Sequence, residues 1–433
     1  MSVISKLTLM AAAGGGGQAY WISLLGGYGT LDRGQSVALD SSGNILAAGL
    51  TASGGAGGTD GLIVKYDPAG TVLWSRTFGG ASGDALYGIS VDSLDNVVAI
   101  GETQSTGAGS KDFIIVKYNS SGTLQWSKSL GSVLNDVGYN VHVDSADNIL
   151  LTGYQQDGGQ KIVLYRLSSA GVKLRERKAY FGEGYAVGRN SAGRYVVAGR
   201  EFPASGSKNA LLIQYDIYDD IGWQRKLSSD SDDVWKDLAI DSSDNIFVVG
   251  TTGFPDYQSA MLIAKYNSSG ALQWSRTLGG TGYEEGLGIA LDSGGDVVVV
   301  GQTTAQGQGQ YDFVIAKYNS SGALQWQRLL GGTSSDEGRG LALDAEDNII
   351  LVGNSGSGSD YSTDVMVARL PGDGSLIGTY GPFTYQAATL TDAAGTLTSA
   401  ASSLTEGSTS DLTLSTASLT DATTSLTQEF YSL

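Results

Sequence analysis

The sequence predicts an all-β protein, and three observations lead to that prediction. Short phrases recur along the 433 residues with a period of 46 to 53 residues. Each unit holds four short stretches rich in apolar and β-branched residues, two of which alternate apolar and polar positions. Gly is abundant (64 residues) and Pro is scarce (5), which is typical of frequent tight turns.

Three phrases identify seven units. The Asp-Ser phrase begins at Asp40, Asp92, Asp144, Asp241, Asp292 and Asp344, with a weaker copy at Asn190. The Lys-Tyr phrase contains Tyr66, Tyr118, Tyr165, Tyr215, Tyr266 and Tyr318, and it degenerates at Arg369–Leu370. The Trp phrase contains Trp21, Trp74, Trp126, Trp223, Trp274 and Trp326. Since these tryptophans recur with the unit, we expect them to pack between units.

Four antiparallel strands repeated seven times predict a seven-bladed β-propeller, because neighbouring blades cover faces that one blade cannot bury alone. A β-helix has a shorter period, and helical repeats show 3.6-residue spacing. The first Trp stretch, "AYWISLLGG", precedes any complete unit. We therefore expect it to close the ring as the outer strand of the last blade. Residues 374–385 compete for that place or add a further edge strand.

The repeated phrases also carry a resemblance. The repeat, with phrases such as "LDSSGN" and "KYNSSGALQWSRTLGG", resembles the seven-bladed β-propeller repeat family of bacterial and phage proteins, over about residues 20–380. This resemblance implies a fold and leaves the activity open, because one fold serves many functions.

The composition divides the chain into three parts. Residues 1–18, "MSVISKLTLMAAAGGGGQ", form an N-terminal anchoring arm with a Gly hinge, with a signal peptide as the alternative. Residues 19–385 form the propeller, and residues 386–433 form a low-complexity tail. No apolar run reaches the roughly 18 residues of a membrane span, so we expect no membrane insertion.

Charge and residue usage exclude several classes of function. The net charge is −18, which argues against nucleic acid and anionic lipid as partners. The chain has no Cys, and its one histidine, His142, lies in ordinary repeat sequence. The sequence offers no catalytic set, cofactor motif or complete metal loop, so we predict no enzyme, no cofactor and no metal site.

An acidic residue precedes the Asp-Ser phrase by eight positions in six units. These residues are Asp32, Asp84, Asp136, Asp233, Glu284 and Asp336. One hypothesis makes them a ring at a mouth of the central channel, for a cation or a basic partner. The alternative, which we favour, is that each carboxylate caps loop amides in its own blade.

The fourth unit is unusually basic. Residues 161–200 hold nine Lys or Arg residues, opposed within that stretch only by Glu176 and Glu183. The predicted contact surface for an acidic neighbour, including another copy of this chain, consists of Arg166, Lys173, Arg175, Arg177, Lys178, Arg189 and Arg194. The alternative is divergence within one blade, with long side chains lying over the strands.

The tail repeats a Leu-Thr pair at Leu390, Leu397, Leu404, Leu412, Leu419 and Leu426. The spacing of seven or eight residues, with Ala394 and Ala401 three before a Leu, is similar to a sparse coiled-coil seam. Frequent Ser and Thr weaken that interpretation. We expect an assembly segment that becomes ordered on neighbouring subunits, as a helix or as an extended arm. A flexible solubilising tail is the alternative.

The combination of arm, propeller and tail resembles bacteriophage structural proteins, especially tail-associated ones. It implies a non-enzymatic virion protein made in the host cytoplasm, with other virion proteins, itself or a host surface glycan as partners. Exposed Gly- and Gln-rich loops such as "ETQSTGAGSKD" would make contact. The alternatives are a secreted or bacterial-surface adhesion or carbohydrate-binding propeller and, third, a polysaccharide hydrolase.

Overall fold

The computed structural model describes residues 20–27, 29–156, 158–179, 181–254, 259–357, 363–394, 398–401, 414–416, 420–422 and 427–432. Within these residues the chain forms β-strands and no helix, and the strands make seven antiparallel sheets. The predicted seven-bladed β-propeller is confirmed. The N-terminal arm lies outside the described residues.

Four consecutive strands form each of the first six blades, from the inner strand outward. Blade one contains β2 (Asp32–Leu39), β3 (Ile45–Thr51), β4 (Asp60–Tyr66) and β5 (Val72–Gly79). Blade two contains β6 (Asp84–Val91), β7 (Val97–Thr103), β8 (Asp112–Tyr118) and β9 (Leu124–Leu130). Blade three contains β10 (Asp136–Val143), β11 (Ile149–Gln156), β12 (Gln160–Leu167) and β13 (Lys173–Ala179).

The other half of the ring follows the same plan. Blade four contains β14 (Gly182–Arg189), β15 (Tyr195–Glu201), β16 (Asn209–Tyr215) and β17 (Ile221–Ser228). Blade five contains β18 (Asp232–Ile240), β19 (Ile246–Phe254), β20 (Ala260–Tyr266) and β21 (Leu272–Gly279). Blade six contains β22 (Glu284–Leu291), β23 (Val297–Thr303), β24 (Asp312–Tyr318) and β25 (Leu324–Gly331).

Blade seven joins both ends of the propeller sequence. It contains β26 (Asp336–Leu343), β27 (Ile349–Ser355), β28 (Asp364–Leu370) and, outside them, β1 (Trp21–Gly26). Trp21 pairs with Arg369 and Leu25 with Val365, so the N-terminal strand closes the ring as predicted. The inner strands contact one another around the ring, including β2 with β26. Residues 374–385 do not take this place.

The C-terminal region adds a fifth strand to one blade after another, in the reverse of chain order. We call strands β30 to β35 the belt. Blade six receives β30 (Phe383–Ala387), with β29 (Gly378–Tyr380) outside it, and blade five receives β31 (Thr391–Ala394). Blades four, two, one and seven receive β32 (Thr398–Ala401), β33 (Leu414–Thr416), β34 (Thr420–Ala422) and β35 (Thr427–Ser432).

The belt gives the tail its conformation. Of the helix and the extended arm left open by the sequence, these strands show the extended arm, and each of them pairs with a strand of its own chain. Leu390 is buried in the cluster between blades five and six. Leu397, Leu404, Leu412, Leu419 and Leu426 lie outside the described residues. β30 also crosses the boundary that the sequence places after residue 385.

The hydrophobic core lies between the blades. Each cluster combines apolar residues from the middle strands of two neighbours, as where Ile100 and Phe113 of blade two meet Leu151 and Tyr165 of blade three. Such residues are almost fully buried because each sheet is covered on both faces. The core therefore fixes how each blade lies against the next, and the ring positions the side chains that point to its axis.

The Trp positions form contacts between blades. The indole of Trp274 in blade five lies against Gly322, in the turn before the last strand of blade six, and its Nε1 donates to the Ser320 carbonyl at 3.2 Å. Gly322 has a φ of +82°, and a Cβ there would lie 2.7 Å from the ring. The turn thus requires glycine both for its conformation and for the approach of the indole.

Candidate functional site: the central channel

Every inner strand shifts register at the same place, leaving one extra residue opposite its neighbour. This extra residue lies three positions after the acidic residue that begins the inner strand. In blade four, Gly182 stands in the acidic position, and the extra residue lies three positions after it. The seven residues are Gln35, Tyr87, Tyr139, Tyr185, Lys236, Leu287 and Arg339. A bulge of this kind redirects a side chain and often lies next to a functional site. All seven side chains are partly exposed.

These side chains converge at the ring axis. The ring of Tyr139 lies 6.0 Å from that of Tyr87 and 4.8 Å, stacked, from that of Tyr185. The Lys236 ammonium lies 4.4 Å from the centre of the Tyr185 ring. Lys236 also interacts electrostatically with Arg339, two blades away. The ring and cation contacts join one inner strand to the next, and the electrostatic interaction of Lys236 with Arg339 acts across the middle of the ring, so these residues line the central channel.

Charged groups from the neighbouring strand positions join the tyrosines. Arg200 Nε donates to Glu183 Oε2 at 2.7 Å, and Lys236 Nζ lies 3.4 Å from Glu285 Oε1. The Tyr185 hydroxyl donates to Glu183. The channel thus combines aromatic faces with carboxylate acceptors and cationic donors.

Burial sets the protonation of these groups. It raises the pKa of Tyr139 and of Tyr185 above the usual phenol value, and the nearby Glu183 carboxylate adds to the rise. Both phenols therefore stay neutral and keep a hydroxyl. Burial lowers the pKa of Lys236, and the Glu285 carboxylate opposes that effect. Neutral hydroxyls, ring faces and paired charges are suited to binding a polar ligand that has an apolar face.

The six acidic residues predicted as a ring are brought to equivalent places, at the start of the inner strands. Their side chains are buried, with exposures of 0–2%. Each accepts a backbone N–H from the loop before it: Gly332 N to Asp336 Oδ2 at 2.7 Å and Gly280 N to Glu284 Oε2 at 2.8 Å are examples. This burial and these bonds are the geometry of a loop cap, the interpretation that the sequence favoured.

A second set of buried aspartates, which the sequence analysis did not single out, lies beside these caps. Asp60, Asp112 and Asp312 start the third strand of their blades and are 0–2% exposed. A Cβ placed on Gly79 would lie 1.9 Å from Asp60 Oδ1 and 2.9 Å from Asp84 Oδ2, so glycine is needed there. Burial raises the pKa of Asp312 to about 6, and the charge of Asp336 adds to the rise.

The seven basic residues singled out in the sequence lie on blades three and four and are not gathered into one free cationic surface. The structure pairs six of the seven with carboxylates of this chain. These pairs are Arg166–Asp219, Arg175–Asp219, Arg177–Asp220, Lys173–Glu176, Lys178–Glu176 and Arg189–Asp144. Arg194 lies exposed in the turn after β14. The sequence count of opposing acids missed Asp219, Asp220 and Asp144 because they come from outside residues 161–200.

Neither a metal centre nor a membrane helix occurs in the described part of the chain. No group of three or more His, Cys, Asp or Glu side chains is placed there to hold an ion. No helix there has the length and hydropathy of a membrane span. His142 is half-buried on β10, and burial lowers its pKa below the usual imidazole value.

The channel residues were missed because sequence reasoning followed what repeats. Their signal is the opposite: this position is Gln, Tyr, Lys, Leu or Arg, while the residue three before it is acidic in six units and the residue two after it is Val, Ile or Leu in all seven. The fold fixes where this residue lies in the ring but does not restrict which side chain it carries. Variation at this one position of the repeat was therefore the sequence signal that could have identified the channel residues.

Comparisons with known proteins agree with the fold. A family described as a beta-propeller repeat matches residues 21–55, and a beta-propeller domain of unknown function matches residues 295–324. The chain is similar to an uncharacterized WD repeat-containing protein of Acanthamoeba polyphaga mimivirus, with 21% identity over 51% of this chain and 18% of that protein. It is also similar to the regulatory protein FlaEY of Caulobacter vibrioides, with 28% identity over 23% of this chain and 12% of that protein.

Among solved structures, a periplasmic gluconolactonase of Pseudomonas aeruginosa aligns with a TM-score of 0.49 and 11% identity, over 82% of this chain and 97% of that chain. The polysaccharide lyase Uly1 aligns with a TM-score of 0.48 and 7% identity, over 78% of this chain and 90% of that chain. The match covers less than a fifth of each curated relative's length. These likenesses leave the activity open.

Proposed function

We propose that this chain is a non-enzymatic binding module, in which the blades are scaffold and the central channel binds a carbohydrate. The observation that carries the proposal is the convergence of unlike side chains at one bulged position of an otherwise regular repeat. A sugar ring has an apolar face for Tyr139 and Tyr185, and it has hydroxyls for Glu183, Arg200 and Lys236. The propeller fold supports such a role, since its inner strands can vary without loss of the ring.

Binding of oligosaccharides tests this proposal. Wild-type protein is applied to an array of neutral bacterial surface oligosaccharides, beside Lys236→Met and Tyr185→Phe. Lys236→Met removes the ammonium at a position where the next blade has Leu287, and Tyr185→Phe removes the hydroxyl that meets Glu183. Each change should weaken retention about tenfold, as expected for a central contact of a binding site.

The matched control is Tyr218→Ala, which removes an exposed tyrosine (72%) from the turn between β16 and β17. Its retention should equal that of the wild type. Wild-type protein that retains no oligosaccharide would overturn the proposal. Channel variants that bind as well as wild type would do the same.

The virion role is the narrower form of the proposal. It assigns the chain to a phage tail or fibre, with other virion proteins, itself or a host glycan as partners, and its support is the resemblance of arm, repeats and tail. Uncleaved chain in purified phage particles would support it. Cleavage after Ala13 with export to a bacterial surface would favour the secreted alternative, and turnover of a polysaccharide would favour the hydrolase.

A further inference from the structure

Arg33 differs from the residues that stand at the same position in other blades. It lies on the inner strand β2 and faces Leu50 of β3. The equivalent residues of blades four, six and seven are Glu183, Glu285 and Glu337. Blade one therefore places a cation at a channel position where three other blades place a carboxylate.

The carboxylates around the channel are paired with cations of the same chain. The pairs are Glu183–Arg200, Glu285–Lys236, Glu337–Arg339 and, in blade two, Glu102–Lys111. These four carboxylates therefore have their counter-charges within the protein, and the four cations beside them are neutralised in the same way.

Arg33 has no such partner among the described residues. Its Nε is buried and donates to no acceptor there, and its guanidinium forms no ion pair with them. Buried polar groups of proteins are normally hydrogen-bonded, so an unpaired guanidinium nitrogen calls for an explanation. The residue as a whole is partly exposed, so a ligand can reach the rest of the side chain.

The surroundings of Arg33 connect it to the tyrosines of the channel. It interacts electrostatically with Tyr87, the bulge residue of the next blade. The Tyr87 ring lies 6.0 Å from that of Tyr139, which in turn lies 4.8 Å from that of Tyr185. A cation without a counter-charge thus stands at one end of a series of three aromatic rings.

We infer that Arg33 binds a carboxylate of the ligand, so that the carbohydrate bound in the channel is an acidic one that contains a uronic acid. The inference rests on the proposed function and adds the class of sugar to it. A carboxylate accepts two parallel hydrogen bonds from a guanidinium. It gives Arg33 the same kind of partner that the other channel cations have, while the sugar rings pack on Tyr87 and Tyr139.

The net charge of −18 opposes the approach of an anionic ligand from a distance. At physiological ionic strength this repulsion is largely screened beyond about 8 Å, whereas a partly buried pair in contact is screened much less. The preference for an acidic sugar therefore arises at the contact with Arg33 and not from the field of the whole protein.

Matched pairs of oligosaccharides test the inference. An array carries uronic-acid oligosaccharides, each beside its carboxyl-reduced form, in which a hydroxymethyl group replaces the carboxylate and the sugar rings are unchanged. Wild-type protein, Arg33→Met, Arg33→Lys and Lys128→Met are applied at about 0.15 M salt. Lys128→Met is the matched control, because it also removes one positive charge, but from the outer strand β9 of blade two.

We expect the wild type to retain an acidic oligosaccharide about tenfold more strongly than its reduced form, as one charge-assisted contact provides. Arg33→Met should bind both forms as weakly as the wild type binds the reduced form. Arg33→Lys should keep part of the preference, and Lys128→Met should keep all of it.

The contrary outcomes separate this inference from the proposed function. Equal retention of the acidic and reduced forms by the wild type would overturn the inference and leave carbohydrate binding intact. A preference that persists in Arg33→Met would also overturn it. Retention of neither form would overturn carbohydrate binding itself, and the inference with it.

Discussion

Two junctions between neighbouring blades of the ring are packed by different contacts at equivalent positions. Between blades two and three, the indole of Trp126 lies against Gly171, and its Nε1 donates to the Ser169 carbonyl at 3.4 Å. Between blades three and four, Arg175 stands in the Trp position and Asp219, with a φ of +68°, takes the place of the turn glycine. Arg175 Nε lies 3.5 Å from Asp219 Oδ2.

The difference shows which part of the junction the ring requires. The hydrogen bond made by the Arg two positions after the Trp position is kept at both kinds of junction. Arg177 Nε donates to the Asp219 carbonyl at 2.6 Å, as Arg328 Nε donates to the Gly374 carbonyl at 2.7 Å. The apolar contact is exchanged for an ion pair, with both partners changed together. Two residues of the basic cluster, Arg166 and Arg175, are therefore part of the local replacement of a Trp–Gly contact by charges.

The largest expected effect separates an indole junction from the charged one. Trp21→Ala removes an indole that is 1% exposed at the junction between blades seven and one. We expect it to lower the free energy of unfolding by about 3–5 kcal/mol. Arg175→Ala, at the charged junction, should lower it by less than about 1 kcal/mol, because its side chain is mostly exposed. Denaturant unfolding measures both, and equal losses would contradict the comparison.

A double substitution converts the charged junction into the common one. Asp219→Gly alone leaves Arg166 and Arg175 without their counter-charge and should cost about 1–3 kcal/mol. Arg175→Trp alone places an indole against Asp219 and should also destabilise the ring. The double variant should recover to within about 1 kcal/mol of wild type, since the two residues act as a unit. If the double variant lost as much stability as the two single variants together, the Trp–Gly and Arg–Asp pairs would not be interchangeable.

A third test compares a neutral and an ionisable side chain that make the same contact between inner strands. Between blades three and four, Asn140 Oδ1 accepts the Val187 N–H at 3.3 Å. Between blades five and six, Asp237 Oδ2 accepts the Ile289 N–H at 3.0 Å, and burial raises the pKa of Asp237 to about 7. An amide makes this contact without titrating, so Asp237→Asn should keep it.

The sign of the pH effect follows from that raised pKa. Between about pH 4 and pH 7 the folded chain keeps the Asp237 proton that the unfolded chain loses, so wild-type stability falls as the pH rises. Asp237→Asn lacks this loss. It should be about 1–2 kcal/mol more stable than wild type at pH 8, with almost no difference at pH 4. A difference that is independent of pH in thermal unfolding would contradict this account of Asp237.

The smallest expected effect concerns salt. The loss caused by Arg175→Ala should disappear in about 1 M salt, because the ion pair is then screened. Trp126→Ala should keep its loss at every salt concentration, since the indole contact is apolar. If salt reduced the stability loss of both variants by the same fraction, charge would not distinguish the two junctions.

Repetition made the ring predictable. The phrases around Asp40 and Tyr66 fixed the strands of each blade, and the early position of Trp21 fixed how the ring closes. The Leu-Thr period was visible, but edge pairing depends on backbone groups, which leave little trace in side-chain pattern. Asp219 could not be matched to Arg166 and Arg175 because that pairing exists only once blades are adjacent.

The central claim is that repeated positions hold the ring and the divergent channel position binds ligand. Measuring both the free energy of unfolding and the affinity for an array-identified oligosaccharide, in Trp274→Ala and in Lys236→Met, tests it directly. The account predicts lower stability with unchanged affinity for Trp274→Ala, and unchanged stability with about tenfold weaker binding for Lys236→Met. Unchanged affinity in Lys236→Met, or joint loss of both properties in either variant, would contradict it.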